Sequence, residues 1–156
     1  VEYWRLLRSA LGHQKLILPS AAAAVIDDRS ILLLRHAELG TWHLPGGYQD
    51  LDESPAQAAE RELREEAGLS LRADALVTVL ASPEWDVVYT NGDVIQSMEF
   101  CFLMAGYDSS MSVVAQSDEI CDSRWFGLDE LPADIAPCCR RKCRDAVQFQ
   151  GATFLR

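Results

Sequence analysis

The chain has 156 residues, 49% of them hydrophobic and 24% charged, which suits one soluble globular domain with a sizeable core. Its formal net charge of −10 argues against a protein that coats duplex nucleic acid, because such binding relies on cations that neutralise phosphates. Nothing resembles a signal peptide, no apolar run reaches the ~18 residues of a membrane-spanning helix, and five cysteines without a framework spacing point to reduced thiols in a cytoplasm.

Residues 2–11 carry Tyr3, Trp4, Leu6, Leu7, Ala10 and Leu11 at helical spacing and are closed by Gly12, which predicts a short helix. This helical extension, residues 1–17, is expected to pack on the domain or on a second copy of the chain, so a homodimer stays open. Trp4 could stack on a nucleobase, but an aromatic in such a stripe reads more simply as packing. Residues 16–27 read as extended chain entering a buried strand, 27–30 as a turn, and 31–34 as the hairpin partner. His36 is assigned no role. Pro45, Gly46 and Gly47 permit a tight turn with close backbone approach, and Asp50, Asp52 and Glu53 follow as carboxylates.

A helix comes next. Ser54, Pro55 and Gln57 supply an N-cap, a proline at the first helical position and the glutamine of a capping box. Gly68 is placed to end it in a left-handed conformation. Ala56, Ala59, Leu63 and Ala67 mark one buried stripe, and Glu62, Glu65 and Glu66 share the neighbouring arc. Like charges so spaced oppose a helix by about 0.2–0.5 kcal/mol per pair, which Arg61 and Arg64 relieve in part. Clustered carboxylate oxygens are also what a small divalent cation such as Mg2+ takes, often with phosphate oxygens beside them. A solvated acidic face is the plainer alternative, but the glycine turn and the carboxylates before the cap favour the metal.

Gly47, five residues, Glu53, seven residues, then Arg61-Glu62-Leu63-Arg64-Glu65-Glu66-Ala67-Gly68-Leu69 matches the pattern G-x5-E-x7-R-E-U-x-E-E-x-G-U at every defined position. On these residues the chain resembles the Nudix hydrolases. The resemblance implies an α/β fold, an α/β/α sandwich with a mixed sheet between helices, over roughly residues 18–150 of a single domain, 1–156. It implies Mg2+ or Mn2+ held by Glu62, Glu65 and Glu66, with the Gly46 carbonyl as a further ligand. Glu53 and Arg61 would be a positioning pair at the catalytic centre. One departure is Asp52, where members often carry Gly before the first box Glu, which puts the shape of that loop in question. Trp42, ahead of Leu44-Pro45-Gly46-Gly47, is read as a packing residue.

Residues 71–82 are β-prone and end at Pro83. Residues 85–90 and 94–104 flank Asn91-Gly92, a strong signal for a tight hairpin. Trp85, Tyr89 and Phe100 could reach a base or ribose, Trp85 and Tyr89 being the substrate-binding candidates, although packing is the plainer reading. Residues 106–116 form a polar loop, and Asp118 and Glu119 open a last strand, 120–126. By the resemblance Glu119 is a candidate acid near the metal. Residues 128–131 are expected to make a helical turn and 136–150 a helix. Its buried face would carry Cys139, Cys143, Ala146 and Val147, while Arg140, Arg141, Lys142 and Arg144 would form a solvated basic patch. The Cys138-Cys139 and Cys143 spacing lacks further ligands for zinc and reads as core.

The resemblance implies a metal-dependent hydrolase that cleaves the diphosphate linkage of a nucleoside diphosphate joined to another moiety. Glu62 or Glu119 is the candidate general base. The partner would be a small nucleotide, with no duplex nucleic acid and no membrane. Leu80-Ala81-Ser82-Pro83 is similar to a proline-bearing segment of ADP-ribose pyrophosphatases and points to an ADP-ribose-like or nucleotide-sugar substrate. Hydrolysis of (d)NTPs and a non-catalytic nucleotide-sensing module are the alternatives, and the intact carboxylates argue against the sensor. A diphosphate isomerase would want an acid–base cysteine, and no cysteine here sits in a convincing position.

Overall fold

The computed structural model describes residues 3–115 and 117–156; the expected helix start at Glu2 and loop end at Gln116 lie outside them. In chain order the elements are α1 (Tyr3–Leu11), β1 (Leu16–Ala24), β2 (Ile26–Asp27), β3 (Ser30–His36), β4 (Trp42–His43), β5 (Gly46–Tyr48) and α2 (Pro55–Ala67). Then follow β6 (Arg72–Leu80), a 3-10 turn (Pro83–Trp85), β7 (Val87–Val88), β8 (Val94–Ala105), β9 (Ile120–Gly127), α3 (Pro137–Gln148) and β10 (Phe154–Leu155).

The apolar runs of β1 and β3 explain the layering. Strands covered on both faces read as continuous hydrophobic stretches, and their residues point alternately to either side. Ala22, Ala24, Ile31 and Leu33 pack with Cys139, Cys143 and Ala146 of α3. Ala23, Val25, Leu32 and Leu34 pack with Leu63 and Ala67 of α2. The helices therefore flank the sheet structure on opposite faces, an α/β sandwich.

The mixed sheet has the order β10-β6-β8-β1-β5, with β7 also on β8. β1 and β8 run parallel over nine residue pairs, Leu16↔Ile95 to Ala24↔Leu103. A second, antiparallel sheet joins β2, β4 and β9 to β3. The sequence assigned all of 16–27 to one hairpin with 31–34, yet only Ile26 and Asp27 pair with β3. The rest is a central strand whose partners are far along the chain, which local patterning does not reveal. Gly46 and Gly47 also depart from expectation. They lie in β5, paired with Ala22 and Ala21, rather than in a turn. The close approach holds: a Cβ on Gly46 would overlap the Ala21 carbonyl oxygen and come within 2.8 Å of Ala22 Cα.

Other departures are smaller. The first hairpin arm around Asn91-Gly92 shrinks to Val87 and Val88, because Ser82 caps the 3-10 turn through Trp85. Residues 128–131 make a hydrogen-bonded turn rather than a helix, with the Glu130 N–H on the Gly127 carbonyl at 2.9 Å. β9 is not the last strand, since β10 adds parallel to β6. On α3, Val147 is exposed while Lys142 and Asp145 are buried, so the basic patch is broken. Lys142 meets Glu99, and Asp145 meets Arg141 and Arg156. On α2, Ala58 is fully buried where Ala56 was expected to be. Asp52 adopts φ 64°, so an aspartate supplies the left-handed turn where glycine is usual. Among the described residues no helix is long and apolar enough to cross a membrane.

The capping box on α2 is complete: Gln57 N–H donates to Ser54 Oγ at 3.3 Å and Ser54 N–H to Gln57 Oε1 at 2.8 Å. Leu63, fully buried, ties the same helix to the core. Ser54→Ala is expected to lower stability by about 1 kcal/mol, and Leu63→Ala by about 2–5 kcal/mol. Urea denaturation of the two variants checks the order, and a cap loss equal to the core loss would contradict this account of α2.

Candidate active site

Arg61, on the first half of α2, gathers the surrounding acids. Its Nε and Nη2 donate to both oxygens of Glu53 at 3.0 and 2.7 Å. Nη2 also reaches the Tyr48 carbonyl at 3.0 Å, and Nη1 reaches Glu62 at 2.7 Å and Glu65 at 3.2 Å. The fork holds Glu53 below the usual carboxylate range, and Glu53 in turn raises the arginine. Glu53 further accepts from Asp50 N–H at 2.8 Å, so the loop before α2 closes on the guanidinium.

One turn further, Glu66 is 8% exposed and accepts from the Gly46 N–H at 2.9 Å. Burial pushes its pKa up to about 8; the Gly46 bond opposes this, while the charges of Glu62, Glu119 and Glu65 add to it. Burial also raises Glu62, against the pull of Arg61. The Glu62 carboxylate lies against Gly47, whose missing Cβ leaves it room.

Buried Glu66 feels the charges of Glu62, Glu119 and Glu65, and such hard oxygens suit Mg2+ or Mn2+. The donor set thus fits a divalent cation. Among the described residues, however, no group of three or more His, Cys, Asp or Glu side chains is arranged to hold one. Glu62 and Glu65 are turned onto Arg61, so their side chains would have to exchange that partner for the ion.

These residues border a cavity of about 940 Å³. Gly46, Arg61, Glu62, Glu65, Glu66 and Glu119 face it, as do Trp85 and Tyr89. Among the candidate site residues expected from sequence, Glu53 does not line it and pairs with Arg61 instead. Phe100 is also away from it. Tyr89 and Tyr48 share a hydroxyl bond of 2.9 Å, and Trp4 packs on Tyr48 at 5.9 Å between ring centroids.

Sequence reasoning missed Ser20, Glu99, Cys138 and Lys142, which line the same cavity. One signal was present. Lys142 falls three residues after Cys139 and four before Ala146, on the apolar stripe of α3 rather than off it. Burial works against its charge, but Cys139, Glu99 and Cys138 around the ammonium raise its pKa well above the ordinary lysine value.

Comparison with known proteins places this architecture. The family model of the NUDIX domain matches residues 17–144. A MutT-like protein of Streptomyces ambofaciens is 42% identical over 131 residues, covering 84% of this chain and 77% of that protein. The NAD-capped RNA hydrolase NudC of Escherichia coli (strain K12 / DH10B) is 31% identical over 142 residues, covering 88% of this chain. The chain spans only 51% of that relative's length. The crystal structure of a MutT NUDIX hydrolase from Burkholderia pseudomallei has a TM-score of 0.65 at 26% identity, over 83% of this chain and 98% of that one. An unbroken box on α2, inside a match that runs through both sheets, means that this chain belongs to the Nudix family of hydrolases.

Proposed function

We propose that the protein is a metal-dependent hydrolase of a nucleoside diphosphate linked to a second moiety, an ADP-ribose-like compound or a nucleotide sugar. The observation that carries this reading is that the acidic arc of α2 opens into the same cavity as Glu119, Trp85 and Tyr89. Glu62, Glu65 and Glu66, with the Gly46 carbonyl, are assigned to Mg2+ or Mn2+. An ion held there would neutralise the diphosphate and polarise the water that attacks phosphorus. Arg61, held by Glu53, orients Glu62 and Glu65. Either Glu62 or Glu119 takes the proton from the attacking water. Trp85 and Tyr89 present aromatic surface to the base or ribose.

A relative named for hydrolysing an NAD cap supports a diphosphate joining two moieties. The more similar relative is named MutT-like, which keeps nucleoside triphosphates as the second reading. Helix α1 is assigned to the same domain, since Tyr3 N–H donates to Asp50 and Arg8 pairs with Asp93 at 3.2 Å. Five free thiols suit a reducing cytoplasm.

Glu66→Gln is expected to abolish turnover at limiting Mg2+ while leaving α2 folded, because Gln is nearly as good a helix former. Wild-type turnover in that variant would remove Glu66 from the ligand set. A raised pKa on Glu66 means that a proton competes with metal, so Mg2+ affinity should rise as pH passes upward through about 8, with proton release seen by calorimetry in two buffers. Affinity flat across that window would break the assignment.

The two base candidates separate by rate and metal affinity. Loss of a general base should lower single-turnover rates by ~10²–10⁴-fold. Glu62→Gln should do so and weaken metal binding as well. Glu119→Gln should slow the step with little change in metal affinity measured without substrate. If neither variant loses at least about tenfold, both assignments fail.

A further inference from the structure

The same cavity carries polar groups on β1, β8 and α3 that the hydrolytic step leaves unused. Lys142 of α3, 1% exposed, donates to Glu99 Oε1 of β8 at 2.6 Å. Ser20 of β1 lies across from Glu99 in the parallel register and is 6% exposed. Its hydroxyl has no hydrogen-bond partner among the described residues, and neither has the buried indole N–H of Trp85. Ser20, Glu99, Lys142, Trp85 and Cys138 all face this space.

A desolvated ion pair is a poor source of stability, since packed hydrophobic side chains of similar volume often do as well or better. A buried lysine on an apolar stripe therefore needs another reason. The pair is asymmetric: the Glu99 side chain keeps 16% exposure and the Lys142 side chain 2%. Lys142 supplies the cation that pairs with the carboxylate, and the carboxylate faces the cavity. An ionised carboxylate only accepts hydrogen bonds and repels phosphate. The surroundings of Glu99 therefore disfavour a diphosphate and suit a neutral group rich in N–H donors. Trp85 adds a flat aromatic surface on which a base can stack.

We propose that Glu99, locked by Lys142 and joined by Ser20, reads the nucleobase of the substrate and selects bases whose edge offers two adjacent N–H donors, as guanine does. The carboxylate can accept the ring N–H and the amino N–H of guanine side by side. Adenine offers its amino group beside a bare ring nitrogen, and uracil a single N–H between two carbonyls that a carboxylate repels. The assignment rests on the nucleoside diphosphate reading above and, within it, favours a guanine nucleotide sugar over an ADP-ribose-like compound.

Calorimetric titration of the full chain with GMP, AMP and UMP tests this without turnover. The wild-type protein should bind GMP at least about tenfold more tightly than either other nucleotide, because a polar site strongly rejects ligands that leave it unpaired. Glu99→Gln should erase that preference by weakening GMP about tenfold or more while AMP changes little. The double variant Glu99→Gln, Lys142→Met strands no buried charge and should give the same result, which separates base reading from a folding defect. Ser20→Ala should weaken GMP more than AMP. Equal affinities in the wild-type protein, or a guanine preference that survives in the folded double variant, would overturn the proposal. Either result leaves the hydrolase reading standing, because no bond is cleaved in the measurement. Loss of turnover on a metal-ligand substitution, in turn, says nothing about base preference.

Discussion

The Arg61 guanidinium is the interaction on which the rest of the candidate site depends. It bonds Glu53 on the loop, the Tyr48 carbonyl on β5, and Glu62 and Glu65 on its own helix. Three separate pieces of chain are thereby held at fixed distances around one planar cation. A lysine could not replace it, because a single ammonium has neither the fork nor the five donors. Remove it, and Glu53, Glu62 and Glu65 would lose the cation that they share.

Close backbone packing supplies the second constraint. β5 lies against β1 so tightly that Gly46 has no room for a side chain, and Gly47 gives the Glu62 carboxylate its place. The alanines of β1 let α2 approach the sheet, with Ala21, Ala58 and Ala59 forming a small cluster of their own. That approach carries Glu66 down to the Gly46 amide and out of water. The raised pKa of Glu66 is thus a consequence of small residues elsewhere in the chain.

The carboxyl-terminal part is tied in by charge as well as by apolar contact. Asp145 is fully buried and meets Arg156, just past β10, and Arg141 of its own helix. Lys142 and Glu99 make the neighbouring pair. α3 is therefore registered against β8 and the chain end by ions whose removal singly would leave an uncompensated charge. This registration puts Lys142 and Glu99 on the wall of the same cavity as the box carboxylates.

The Glu53–Arg61 pair was legible only through the family resemblance, whereas by itself the sequence determined the helix α2, both of its caps, the acidic arc and the alternation of the fold between strand and helix. These are local: each follows from residues within a turn or a loop of one another, so spacing alone encodes them. Tertiary structure decided which strands are neighbours, that Gly46 and Gly47 sit in a strand, and that Lys142 is buried against Glu99. Those outcomes depend on contacts between segments such as β1 and β8, some eighty residues apart, where each residue's surroundings come from a partner that local patterning cannot name. A lysine on a helix prefers water unless another strand brings a carboxylate to it, and only the folded chain supplies that carboxylate.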